Sequence, residues 1–123
     1  MSAVLQLPFA ERFREPDMPY LSPARIGVLF GFQIQELAER AHVHRNTPTA
    51  RPQASQLQKY LQDMVCVLAA ATEMAGSEKR AAFLLRNEPL RAFGYKTADV
   101  LIQEGRANDV IAYLESLAGG AAG

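Results

Sequence analysis

The chain has 123 residues and a mass of 13.5 kDa, and its 13 Lys+Arg balance 13 Asp+Glu, so the formal net charge is zero. A length in the range of about 100–150 residues fits one compact domain, or two small helical modules sharing a core, and the 49% hydrophobic share excludes a disordered chain. Charge balance speaks against a strongly basic nucleic-acid protein or an acidic-tail protein. Cys66 is the single cysteine, so neither an intrachain disulfide nor a cysteine zinc cluster is available.

The longest apolar run, residues 64–71, is far shorter than the roughly 18 residues a spanning helix needs. No basic residue precedes Arg12 and no long apolar core follows Met1, so a secretory signal is not expected. The expectation is a cytoplasmic protein with no membrane partner.

Residues 1–21 read as an irregular N-terminal arm, interrupted by Pro8, Pro16 and Pro19. A short amphipathic helix fits residues 9–13. Ser22 and Pro23 then give a cap and a first helical residue. Ile26, Leu29 and Phe30 form an apolar face, and Gly31 ends the helix. A second helix is expected over residues 33–41, with Ile34, Leu37, Ala38 and Ala41 at helical spacing. Val43 reads as a buried turn residue. Pro48 and Pro52 then limit a third helix to a short or distorted one, with Pro48 in its first turn.

Residues 55–75 carry the strongest pattern. Leu57, Tyr60, Leu61, Met64, Val65 and Leu68 follow i, i+3, i+4, i+7 without a miss. Ser55 is the expected cap and Gly76 the stop. Cys66, Val67 and residues 69–71 widen the apolar face, so this helix is expected to be covered on more than one side. Three short helices follow. Ser77 caps residues 78–85, with Ala82, Phe83 and Leu85 or Leu84 inward. Leu90, Phe93 and Gly94 make the connection. Thr97 caps the next helix, with Asp99 in its first turn, and Gly105 closes it. The last helix runs over about residues 107–117, with Val110, Ile111, Leu114 and Leu117 inward. Gly119, Gly120, Ala121, Ala122 and Gly123 read as a flexible tail. The fold class is therefore all-α, built around the long helix. Its expected organisation is an arm (1–21), a helix-turn-helix-like region with the long helix (22–76), a small helical domain (77–118) and the tail (119–123).

The zero charge conceals an asymmetry. Residues 40–59 hold Arg40, Arg45, Arg51 and Lys59, two histidines and no acid, whereas residues 62–123 hold eight acids against six bases. The order short helix, turn at Val43, polar stretch, longer helix is that of a helix-turn-helix. Arg45, Asn46, Thr47, Thr49 and Arg51 are types that bond phosphates and base edges, which makes them the candidate DNA contacts. The same stretch reads equally as the solvated face of a helical bundle, and Pro48 and Pro52 oppose a regular recognition helix. Four basic residues per subunit also bind weakly unless the protein is a dimer, because affinity follows the number of phosphates neutralised.

No catalytic constellation is legible. His42 and His44 are two apart and diverge by about 200° on a helix, a poor geometry for one metal ion. Cys66 lies in an apolar run and reads as a core cysteine. No nucleotide, metalloprotease or nucleophile-elbow motif occurs. A binding protein with no cofactor is expected rather than an enzyme.

The series Phe83-Leu84, Pro89-Leu90, Gly94-Tyr95-Lys96-Thr97-Ala98, Leu101, Glu104-Gly105, Val110, Tyr113-Leu114, Leu117 and Gly120 resembles the toxin-binding domain of the Xre/MbcA/ParS antitoxins. Leu37-Ala38-Glu39, Ala41, Val43, Arg45 and Thr47 resemble the core of the Xre-like helix-turn-helix joined to it. Thr97 or Ala98 stands where the family usually has proline, and Thr97 replaces it by capping. The resemblance implies a type II antitoxin that does no chemistry itself. Its partner would be a RES-domain toxin, an ADP-ribosyltransferase-like enzyme acting on NAD, whose active-site cleft the C-terminal domain covers. The helix-turn-helix region would repress the operon, and a homodimer is expected. On this reading Arg106, Asn108, Tyr113, Leu117, Gly119, Gly120, Ala121, Ala122 and Gly123 are the candidate toxin contacts, and the acid-leaning second half would complement a basic phosphate-binding cleft. The alternative is a DNA-binding regulator without a toxin partner.

Overall fold

The structure, a computed structural model, describes residues 8–122. The fold is all-α: among the described residues there is no strand, only two isolated bridges, Arg14 with Leu21 and Leu90 with Lys96. The helices are α1 (Pro8–Glu11), α2 (Pro23–Phe30), α3 (Ile34–Ala41), α4 (Thr47–Ala50), α5 (Ser55–Ala75), α6 (Glu78–Asn87), α7 (Ala98–Gln103) and α8 (Ala107–Ala122), with a 3-10 turn at Arg91–Phe93. Among the described residues no helix is long and apolar enough to cross a membrane. The chain divides into two compact units, Met1–Val65 and Cys66–Gly123, and the division falls inside α5.

In the first unit, local chemistry sets the helix ends. The Ser22 hydroxyl accepts from the Arg25 N–H at 3.2 Å, Pro23 opens α2, and Gly31 closes it in the left-handed region at φ +75°. Glu36 reaches back to accept from the Gln33 N–H at 2.9 Å, which fixes the start of α3. The Arg40 guanidinium lies 3.9 Å from the centroid of the Phe32 ring, and Phe32 stacks on Phe30. α4 is one turn long with Pro48 in its first turn, as the prolines require. Ser55 is the first residue of α5 rather than its cap: Ala54 precedes it, and the Ala54 carbonyl accepts from the Gln58 N–H at 2.9 Å. Val43 is half-buried.

The described part of the arm, residues 8–21, is more ordered than its prolines suggest. The Ser22 N–H donates to the Phe13 carbonyl at 2.6 Å and the Glu15 N–H to the Tyr20 carbonyl at 2.9 Å. Its anchor is Gln58 on α5, a buried side chain. The Gln58 carboxamide oxygen accepts from the Leu21 N–H at 2.8 Å, while its nitrogen donates to the Leu21 carbonyl at 2.9 Å and to the Pro52 carbonyl at 2.7 Å. One amide thus satisfies three backbone groups that have left regular structure.

In the second unit, the Ser77 hydroxyl caps α6 by accepting from the Arg80 N–H at 3.1 Å, and the Thr97 hydroxyl caps α7 by accepting from the Val100 N–H at 3.2 Å. The core takes Cys66, Val67, Leu68 and Ala71 from α5, Ala81, Ala82 and Leu85 from α6, Leu101 and Ile102 from α7, and Val110 from α8. Two expectations change here. Phe83 is 64% exposed, because Ala81, Ala82 and Leu85 form the inward face of α6 and Phe83 lies across the helix from it. Burial also falls along α8, from Val110 (buried) through Ile111 and Leu114 (half-buried) to Leu117, which is 42% exposed. Where a tail was expected from residue 119, α8 continues through Ala122. Alanine favours the helical backbone and offsets part of the cost of Gly119 and Gly120. Gly123 lies outside the described residues.

Replacing Gln58 by Leu keeps the volume but leaves the Leu21 and Pro52 backbone groups without their partner. The expected loss of stability is about 2–3 kcal/mol, measured by urea denaturation.

Candidate functional site

The segment 90–96 is a self-closed loop. The Leu90 N–H donates to the Lys96 carbonyl, and the Leu90 carbonyl accepts from the N–H groups of both Phe93 and Tyr95, each at 2.9 Å. The Lys96 ammonium meets both carboxylate oxygens of Glu104 at 2.8 and 3.1 Å, tying the end of the loop to the residue after α7. Gly94 takes φ +66° and Tyr95 takes φ +68°.

Phe93 attaches this loop to α8. Its ring and that of Tyr113 form a T-shaped pair at a centroid distance of 5.5 Å and an interplanar angle of 82°. The Arg106 guanidinium lies 5.2 Å from the same ring, and its Nε donates to Asp109 Oδ2 at 3.0 Å. Two candidate contacts inferred from the sequence, Arg106 and Tyr113, therefore meet on one phenylalanine that the sequence marked only as an apolar anchor.

Behind this cluster lies an open apolar cavity of about 270 Å³. Its walls include Met74 from α5, Leu84 from α6, Leu90 from the loop, and Tyr113, Leu114 and Leu117 from α8, with Arg80 and Glu88 supplying charge. Tyr113 and Leu117 thus share one recess, one helical turn apart. Asn108 is exposed near the start of α8, and Gly119 is exposed near its end. Gly120, Ala121 and Ala122 belong to the last turns of α8 by backbone. Arg80, in the first turn of α6, and Glu88 and Phe93, beyond its end, were not singled out as contacts from the sequence; polar or aromatic residues at helix ends and in loops carry no periodic signal.

The basic stretch of the first unit has a different geometry. Arg45, Asn46, Thr49 and Arg51 are exposed around α4. Thr47 is buried, as is Pro48, and it borders the hollow that Arg51 also lines. His42 and His44 are exposed, and the His44 Nδ1 accepts from the Asn46 N–H at 3.1 Å. With Arg51, Gln53 and Gln56 they line a shallow polar hollow. No group of three or more His, Cys, Asp or Glu gathers to hold a metal ion among the described residues.

Residues 70–120 match the family model described as the antitoxin Xre/MbcA/ParS C-terminal toxin-binding domain. No curated protein and no solved structure matches the chain. The matched segment contains every residue named above as lining the cavity, together with Phe93, Arg106 and Tyr113.

Phe93→Ala removes both ring contacts and detaches the loop from α8. A stability loss of about 1–3 kcal/mol is expected, with a weakened near-ultraviolet tyrosine circular dichroism signal.

Proposed function

We propose, from the match of residues 70–120 to the Xre/MbcA/ParS toxin-binding domain, that this chain is an antitoxin that neutralises a RES-domain toxin in the cytoplasm. The toxin would be an ADP-ribosyltransferase-like enzyme that uses NAD, and the antitoxin would act by covering its active-site cleft. Occlusion asks for shape and backbone contacts, not for a catalytic group, so the antitoxin does no chemistry of its own. The observation that carries this reading is the design of α8 within the matched segment. Its first turns are packed through Val110, while Leu117 and the turns beyond it project a narrow Gly/Ala sequence. A helix end of that kind enters a slot meant for a dinucleotide without steric conflict. The eight acids against six bases over residues 62–123 favour approach to a phosphate-binding cleft.

Residues 40–59 support a second, accessory role: repression of the operon by a homodimer. Arg45, Asn46, Thr49 and Arg51 are exposed and no acid lies in the stretch. A recognition helix of one turn offers little length for reading bases. The basic face would therefore work mainly on phosphates, and pairing two subunits would double the number it neutralises.

The reading is tested by co-expression with the product of the adjacent reading frame, expected to be a RES-domain protein. Removal of residues 117–123 should weaken neutralisation and lower affinity at least tenfold, while far-ultraviolet circular dichroism retains the helical signal. Equal protection by the truncated chain would reject occlusion by the end of α8. For the accessory role, Arg45→Ala with Arg51→Ala should reduce the slope of log Kobs against log salt by about 1.8 for each protomer bound. An unchanged slope would remove these residues from the DNA contact.

A further inference from the structure

Among the described residues, three that are not glycine occupy the left-handed region: Asp17, His42 and Tyr95. Aspartate and histidine are enriched there, and His42 does the common work of ending a helix. Tyr95 has no such excuse. It is a bulky aromatic at φ +68°, a conformation that glycine or asparagine adopts with less strain.

The fold does not use the ring that this backbone holds out. Tyr95 is 65% exposed. Among the described residues its ring enters no aromatic pair and its hydroxyl makes no hydrogen bond. Its N–H is committed to the Leu90 carbonyl, so the loop that presents it is fixed from within. Phe93, two residues earlier, fastens that loop to Tyr113. Arg91 is exposed on the same loop. Tyrosine and arginine are the side-chain types that most often dominate the energy of protein interfaces. A ring on a preformed loop binds without a further cost of ordering, and strained backbone positions concentrate where a partner is held.

We propose that Tyr95 is a toxin-anchoring residue, a ring displayed on the rigid 90–96 loop to fill an apolar recess on the toxin beside the cleft that α8 enters. The inference rests on the antitoxin reading above and adds a second contact point to it. The loop is preshaped, so the ring needs no rearrangement to dock. Strain at Tyr95 lowers the stability of the free antitoxin and is repaid only in the complex.

Tyr95→Asn separates the two roles, because asparagine tolerates the backbone but lacks the ring. Melting temperature is measured on the free antitoxin. Affinity is measured by calorimetry against the purified RES-domain protein of the adjacent reading frame. The expected result is an equal or higher melting temperature with affinity reduced at least tenfold. Loss of less than tenfold, with the unsubstituted chain binding normally, overturns the anchoring role of Tyr95 and leaves the antitoxin reading intact. A lower melting temperature also overturns it, since the ring would then serve the fold. If the unsubstituted chain itself does not bind that protein, the toxin assignment fails and the anchor falls with it.

Discussion

The apolar surface of α5 is the constraint on which the rest of the structure depends. Residues 64–68 are buried without a break, so this part of the helix is covered on all sides rather than along one stripe. A helix of that kind cannot stand at the edge of a fold. It must be enclosed, and each compact unit is built on its own stretch of the same helix. Short helices suffice elsewhere because each needs only one face to lie against such a surface. Polar work concentrates at helix ends, in the hydroxyl caps of Ser22, Ser77 and Thr97.

Local chemistry was the most legible part of the sequence. The Ser22-Pro23 start, the stop at Gly31, the one-turn limit that Pro52 imposes and the caps at Ser77 and Thr97 all depend on the residue itself and its near neighbours. Inward direction was less legible, because it depends on what lies opposite. Phe83 is more apolar than Ala81, yet the small residue is the one the core accepts. Thr47 looks like a surface residue by type, yet its neighbours in the hollow beside α4 leave it buried. At Ser55 the sequence offered a good capping residue, and the helix began one residue too early to use it.

The candidate site was half legible. Arg106, Tyr113 and Leu117 were singled out as contacts from the antitoxin reading that the resemblance implies, and two of them meet on Phe93. The cavity that Tyr113 and Leu117 border was not legible, since it is formed by residues from separate stretches of chain. Tyr95 was invisible as a special residue: a backbone torsion leaves no mark on composition or periodicity.

The pairing of Gln58 with Leu21 spans 37 residues. Closing a loop of that length costs roughly 3 kcal/mol of chain entropy, and a single side-chain amide must wait for it. α5 is built from contacts between close neighbours and gains its structure first. The arm therefore belongs to the last stage of assembly. Its two hydrogen bonds to the Gln58 amide are made together when that loop closes and lost together when it reopens.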